Sequence, residues 1–90
     1  MTYIGKGYGN IRDSTKLWSG IKNYADCKDL CKGKYFQDNM WNGCVYSQSG
    51  QWCEAEKNVT AFKATNSYDF WTLGENLFSI NFPFMFVKCI

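Results

Sequence analysis

Ninety residues make one domain at most, and a net charge of +2 from scattered cations leaves no basic stripe for nucleic acid. A chain this short buries only roughly 60–65% of its unfolded surface, so its core is marginal without cross-links. Five cysteines can supply them, while the complete lack of histidine removes the commonest general base and the commonest transition-metal ligand.

Residues 2–22 alternate Gly5, Gly7 and Gly9 with Lys6 and Tyr8. This pattern predicts a strand or loop with close backbone contacts, followed by a turn at Asp13-Ser14. A phosphate-cradling loop would need a hydrophobic strand before it and a helix directly after, and neither is there. Asn23 is a helix N-cap, with Asp26 three residues on in the manner of a capping box. Tyr24, Cys27, Leu30 and Cys31 then share one helical face, and Gly33 is the natural stop, which predicts a helix over about 24–32 with its cysteine face toward the core. Lys28, Lys32 and Lys34 cluster toward its C-terminal end, where cations suit the dipole, and read as a solvated helix end.

A polar and aromatic loop follows from Tyr35 to Gly43, in which Tyr35 and Phe36 are core candidates. Residues 45–47 and 52–56 read as two short strands around a turn at 48–51, with Glu54 and Glu56 facing solvent. Val59 to Ala64 alternates as a further strand, Asn66-Ser67 is a turn, and Tyr68 to Leu73 is strand-like. The segment 77–90 places Phe78, Ile80, Phe82, Phe84 and Phe86 on one parity, a period-two strand that Pro83 confines to an edge or breaks. As an apolar edge it is also a candidate surface for self-association.

The cysteines Cys27-x3-Cys31, Cys44 and Cys53 set the class of the chain. Two disulfides among them would tie the helix to a small sheet, giving an α+β domain suited to an oxidising, secretory or extracellular compartment. Four cysteines allow three pairings, of which Cys27–Cys31, one helical turn apart, is the least suited to a bridge. A tetrathiolate zinc site is the rival, but Cys44-x8-Cys53 is too wide for a second knuckle, so no metal or cofactor is expected. The sequon Asn58-Val59-Thr60 agrees with secretion and makes Asn58 a glycosylation candidate. The opening residues show neither a basic region nor an apolar leader, so a secreted protein would be represented here by a mature or excised piece. No stretch reaches the roughly 18 apolar residues of a membrane span.

The run from Asn23 to Glu56 resembles a PAN/apple domain, and with the upstream GKGYGNIRDST the resemblance covers about residues 5–73. That family carries a C-x3-C pair on its one helix, a third cysteine opening an aromatic strand and a fourth on the next strand. The resemblance implies a small disulfide-linked antiparallel sheet packed against one helix, with Cys27–Cys53 and Cys31–Cys44 as the pairs. The chain departs from the family at Gly9, where longer members carry a cysteine that bridges the two ends, and at Ser47 and Ala55, where an aromatic and a leucine are usual. Gly9 leaves Cys89 without a visible mate.

Aromatic residues make up 19% of the chain. Trp41, Tyr46 and Trp52 flank the expected hairpin beside Asn42, Gln48 and Gln51. Flat rings next to amides hold sugars or flat protein surfaces, the rings stacking on C–H faces while the amides satisfy hydroxyls. Trp41, Asn42, Tyr46, Gln48 and Gln51 are therefore the ligand-binding candidates of a non-catalytic adhesion module for glycan or extracellular protein, as the resemblance also implies. A second function is structural: a subunit of an extracellular assembly joined through the C-terminal strand and an intermolecular Cys89 bridge. An inhibitor-like or toxin-like module is a third.

Overall fold

The computed structural model describes residues 1–10 and 14–74. Its elements are β1 (Thr2–Gly9), β2 (Thr15–Ser19), α1 (Tyr24–Gln37), β3 (Gly43–Ser47), β4 (Trp52–Glu56) and β5 (Phe62–Thr72). The five strands form one antiparallel sheet in the order β1-β5-β3-β4-β2, and α1 packs on β3 and β4. The α+β class is as expected. The strand expected over 77–90, Cys89 and Asp13 of the first turn lie outside the described residues.

Asn23 caps α1 as its sequence predicts, its side-chain oxygen accepting from the Asp26 N–H at 2.9 Å. The helix does not stop at Gly33. It runs through that residue to Gln37, because a glycine in mid-helix costs only about 1 kcal/mol and nothing crowds it. It ends at Asp38, whose backbone turns extended and whose carboxylate accepts from the Met40 N–H at 3.0 Å. That bond, with Lys57 at 3.2 Å and Lys34 beyond it, holds the Asp38 carboxyl below its ordinary range.

Cys27 and Cys31 point one face of α1 inward, and this phase decides the rest of the helix. Phe36, expected in the core, falls off that face and is 83% exposed. Tyr24 is also exposed, whereas Tyr35 packs at the edge of the core. Cys27 is bonded to Cys53 on β4 and Cys31 to Cys44 on β3, with Cα separations of 5.3 and 5.8 Å. The pairs are those the family resemblance implied.

Alternation along the strands makes two cores. On the helix side lie the four cysteines with Tyr46, Ala55, Trp71 and Leu73, edged by Trp18, Ile21, Tyr35 and Trp41. On the other side Val45, Val59 and Phe70 pack with Ile4, Tyr8, Trp52, Phe62 and Tyr68. Glu54 and Glu56, expected in solvent, are buried on this second face. The cause is position: β4 is flanked on both sides, and with Cys53 and Ala55 turned to the helix the two glutamates must face the second core. Glu56 Oε1 accepts the Gly9 N–H at 2.8 Å. A Cβ on Gly9 would meet that oxygen and Val59 Cγ1, both at 2.5 Å, so a cysteine there has no room.

The turn at 48–51 joins β3 to β4, with Ser47 Oγ accepting from Gly50 N–H and Gln51 at φ 54°. Val59 belongs to the loop before β5, fixed by Asn42: its Nδ2 donates to Val59 O and its Oδ1 accepts from Val59 N–H, at 2.8 and 2.9 Å. The turn expected at Asn66-Ser67 is instead a bulge within β5. Lys6 pairs with Asp69 while the next residue, Gly7, pairs with Ala64, so residues 65–68 have no partners on β1.

Candidate functional site

Strand register builds a groove at the N-terminal end of α1. Lys6 on β1, Asp69 on β5 and Tyr46 on β3 are successive partners across the sheet. Lys22, Asn23 and Tyr24 enter the helix above them, and Gln48 leaves β3 beside them. One depression of about 320 Å³ is lined by Lys22, Asn23, Tyr24, Tyr46, Gln48 and Asp69. A second, of about 470 Å³, is lined by Lys6, Gln48, Ser49, Asn66, Ser67 and Asp69. Gln48 and Asp69 belong to both, so the two meet there. The bulge of β5 supplies Asn66 and Ser67 to the second. Each volume lies in the range of ligand sites.

The rings beside the groove form one connected set. Tyr24 stacks on Trp71 at 6.2 Å and 9° between planes, and Tyr3 meets Trp71 edge-on at 5.5 Å. Lys28 lies over both Tyr24 and Trp71, at 5.4 and 5.9 Å from the ring centres. Trp71 is buried, while Tyr3 and Tyr24 are 51% and 56% exposed. The groove therefore combines one exposed ring, that of Tyr24, with amides, hydroxyls and a carboxylate.

Asp69 is the most constrained of these groups. Its Oδ1 accepts from the Tyr3 hydroxyl at 2.7 Å and from Lys6 Nζ at 3.3 Å. The hydrogen bond to Asp69, then partial burial, then the carboxylate charge push the Tyr3 phenol up to about 12. The folded state thus holds this proton more tightly than the unfolded chain, whose phenol ionises near pH 10. The contribution to stability is full below that pH and is lost as pH rises toward 12. Titration of phenolate absorbance will show one tyrosine ionising near pH 12, and Asp69→Asn will bring it back toward the ordinary range. An unchanged titration in that variant would dissociate Tyr3 from Asp69.

The ligand-binding candidates drawn from the sequence do not share one surface. Gln48 is exposed and lines both depressions. Tyr46 is buried beneath the first, its hydroxyl donating to Ile21 O at 3.0 Å. Asn42 spends its amide on Val59. Gln51 is an exposed turn residue whose carbonyl accepts from Ile21 N–H. Trp41 is half-buried, with Lys34 and Lys57 over its ring at 4.5 and 5.5 Å. Asn58, of the sequon, is exposed at φ 60°. Tyr3, Lys6 and Asp69 were not singled out from sequence as ligand candidates, because what unites them is pairing between strands some sixty residues apart rather than any local spacing, and Tyr24 was read only as a residue of the helix face toward the core.

The four Sγ atoms lie within 4.8 Å of one another, compact enough to raise the question of a tetrathiolate centre. The donor set does not fit one. The sulfurs are consumed in two disulfides, and their polar neighbours are carbonyl oxygens: Val45 O at 3.4 Å from Cys27 Sγ, Glu54 O at 3.8 Å from Cys31 Sγ, and Cys27 O at 3.4 Å from Cys53 Sγ. A buried dianionic cluster needs donors around its sulfurs, not acceptors. No helix among the described residues is long and apolar enough to cross a membrane. No family model, curated protein or solved structure matches this chain, so its groove must be read from its own geometry.

Proposed function

We propose that this chain is a secreted, non-catalytic recognition module of PAN/apple-like build, and that the groove between α1 and the β5 bulge takes a carbohydrate. The observation that carries this reading is the meeting of two depressions at Gln48 and Asp69 beside the exposed ring of Tyr24. A sugar offers an apolar C–H face to such a ring and hydroxyls to such amides and carboxylates. Secretion is supported by two buried disulfides, which persist in oxidising compartments. The PAN/apple-like build is supported by the one helix among the described residues, bonded to adjacent central strands through Cys27–Cys53 and Cys31–Cys44. The lack of histidine speaks for binding over catalysis.

The test is retention on a glycan array followed by titration of the best binder. Tyr24→Ala and Gln48→Ala will each weaken binding about three- to tenfold, the loss of one ring contact or one neutral hydrogen bond. Trp41→Ala, whose ring is covered by two lysines away from the groove residues, will leave affinity unchanged. Retention of no glycan sinks the carbohydrate reading in favour of a protein ligand. Loss confined to Trp41→Ala moves the site elsewhere.

A further inference from the structure

We propose that Asp69 is the specificity-determining acceptor of the groove and that it selects a neutral saccharide presenting vicinal hydroxyls. This rests on the carbohydrate reading of the same groove. Among the described residues the donors that reach Asp69 are the Tyr3 hydroxyl and Lys6 Nζ, and both go to Oδ1. Among the described residues Oδ2 receives no hydrogen bond, although the side chain is only 26% exposed and lines both depressions. A carboxylate gripped through one oxygen is an oriented acceptor at the other. The group it fits is a hydroxyl, which donates to Oδ2 while the neighbouring hydroxyl exchanges hydrogen bonds with the Gln48 amide, able both to donate and to accept.

The same charge works against an acidic sugar. A carboxylate or sulfate has no proton to give Oδ2 at neutral pH and is repelled by it. The cations lining the groove are Lys6, which is paired with Asp69, and Lys22. Lys22, and Lys28 at 5.4 Å from the centre of the Tyr24 ring, are the groups that would draw an acidic sugar instead, so the choice between the two ligand classes lies between Asp69 and these cations.

The experiment compares neutral, sialylated and sulfated glycans on one array, using the wild type, Asp69→Asn, Tyr3→Phe and Lys22→Gln, with thermal melts to confirm folding. Neutral glycans are expected to bind the wild type preferentially. Asp69→Asn is expected to lose about tenfold or more on neutral glycans, the loss of a charge-assisted hydrogen bond, and to gain on acidic ones. A merely structural role would lower both alike. Tyr3→Phe, which leaves Oδ2 in place, will cost neutral binding less than Asp69→Asn does, and Lys22→Gln will lower the binding of acidic glycans more than that of neutral ones. A wild type that binds glycans but prefers acidic ones, or an Asp69→Asn variant whose neutral-to-acidic ratio does not move, overturns the proposal while the carbohydrate reading stands. Retention of no glycan by the wild type removes both.

Discussion

Replacing Cys27 and Cys53 together by alanine is expected to lower the unfolding free energy by about 2.9 kcal/mol, and replacing Cys31 and Cys44 by about 2.3 kcal/mol, the loop-entropy values for nested separations of 26 and 13 residues when the other bridge remains and already shortens the loop. Both are large beside the few kcal/mol that a core of this size can supply. The order follows from loop length: the longer loop restricts the unfolded chain more. At roughly 4–8 °C per kcal/mol for a domain of this size, either change lowers the melting temperature by about 10 °C or more. Urea and thermal melts of the two paired variants measure this. Losses under 1 kcal/mol in both would mean the bridges do not hold the fold, and alkylation of Cys27, Cys31, Cys44 and Cys53 in the unreduced protein would mean they do not form.

Gly7→Ala is the second substitution expected to be severe, and it acts without touching the cysteines. Gly7 sits at φ 157°, and a Cβ there would collide with the carbonyl of Lys63 and come within 2.6 and 2.8 Å of the Phe62 ring. Neither neighbour can yield easily. The carbonyl belongs to the β5 backbone, and the ring stacks on fully buried Phe70 at 5.7 Å. Overpacking and backbone strain together should cost roughly 2–5 kcal/mol and loosen β1 from the sheet. Gly33→Ala is the internal contrast. Nothing lies within 4 Å of its added methyl, and alanine in mid-helix is expected to stabilise by roughly 0.5–1 kcal/mol. Equal effects of the two substitutions in a denaturant titration would show that the close approach of β1 to β5 is not real.

The contrast between these glycines shows what was legible in the sequence. Local signals carried through: the Asn23 cap, the 48–51 turn and the two strands around it follow from short-range chemistry and appear in place. The α+β class was legible from the cysteines. What failed was whatever depends on neighbours distant in the chain. Gly33 looked like a stop because glycine ends helices on average, yet here the helix continues to a better terminator at Asp38. Glu54 and Glu56 looked solvent-facing because their strand alternates, but alternation does not say that both faces of a sheet will be covered. Phe36 looked buried by composition and is exposed by phase, since the disulfides fix which side of α1 faces inward.

The groove follows the same division. Gln48 was accessible from the hairpin turn, but Asp69 gains its meaning from pairing with Lys6 and from the bulge that follows. Nothing near Asp69 in sequence announces that a tyrosine and a lysine from the first six residues will both close on one of its oxygens.

The two disulfides are nested, the loop closed by Cys31–Cys44 lying wholly within that closed by Cys27–Cys53. Of the two native bonds the inner closes the shorter loop, so it is the easier of the pair to form first. Once made, it short-circuits the path between the outer pair to about half its length, which by the same scaling saves about 0.6 kcal/mol of closure entropy. The first bridge thereby guides the second.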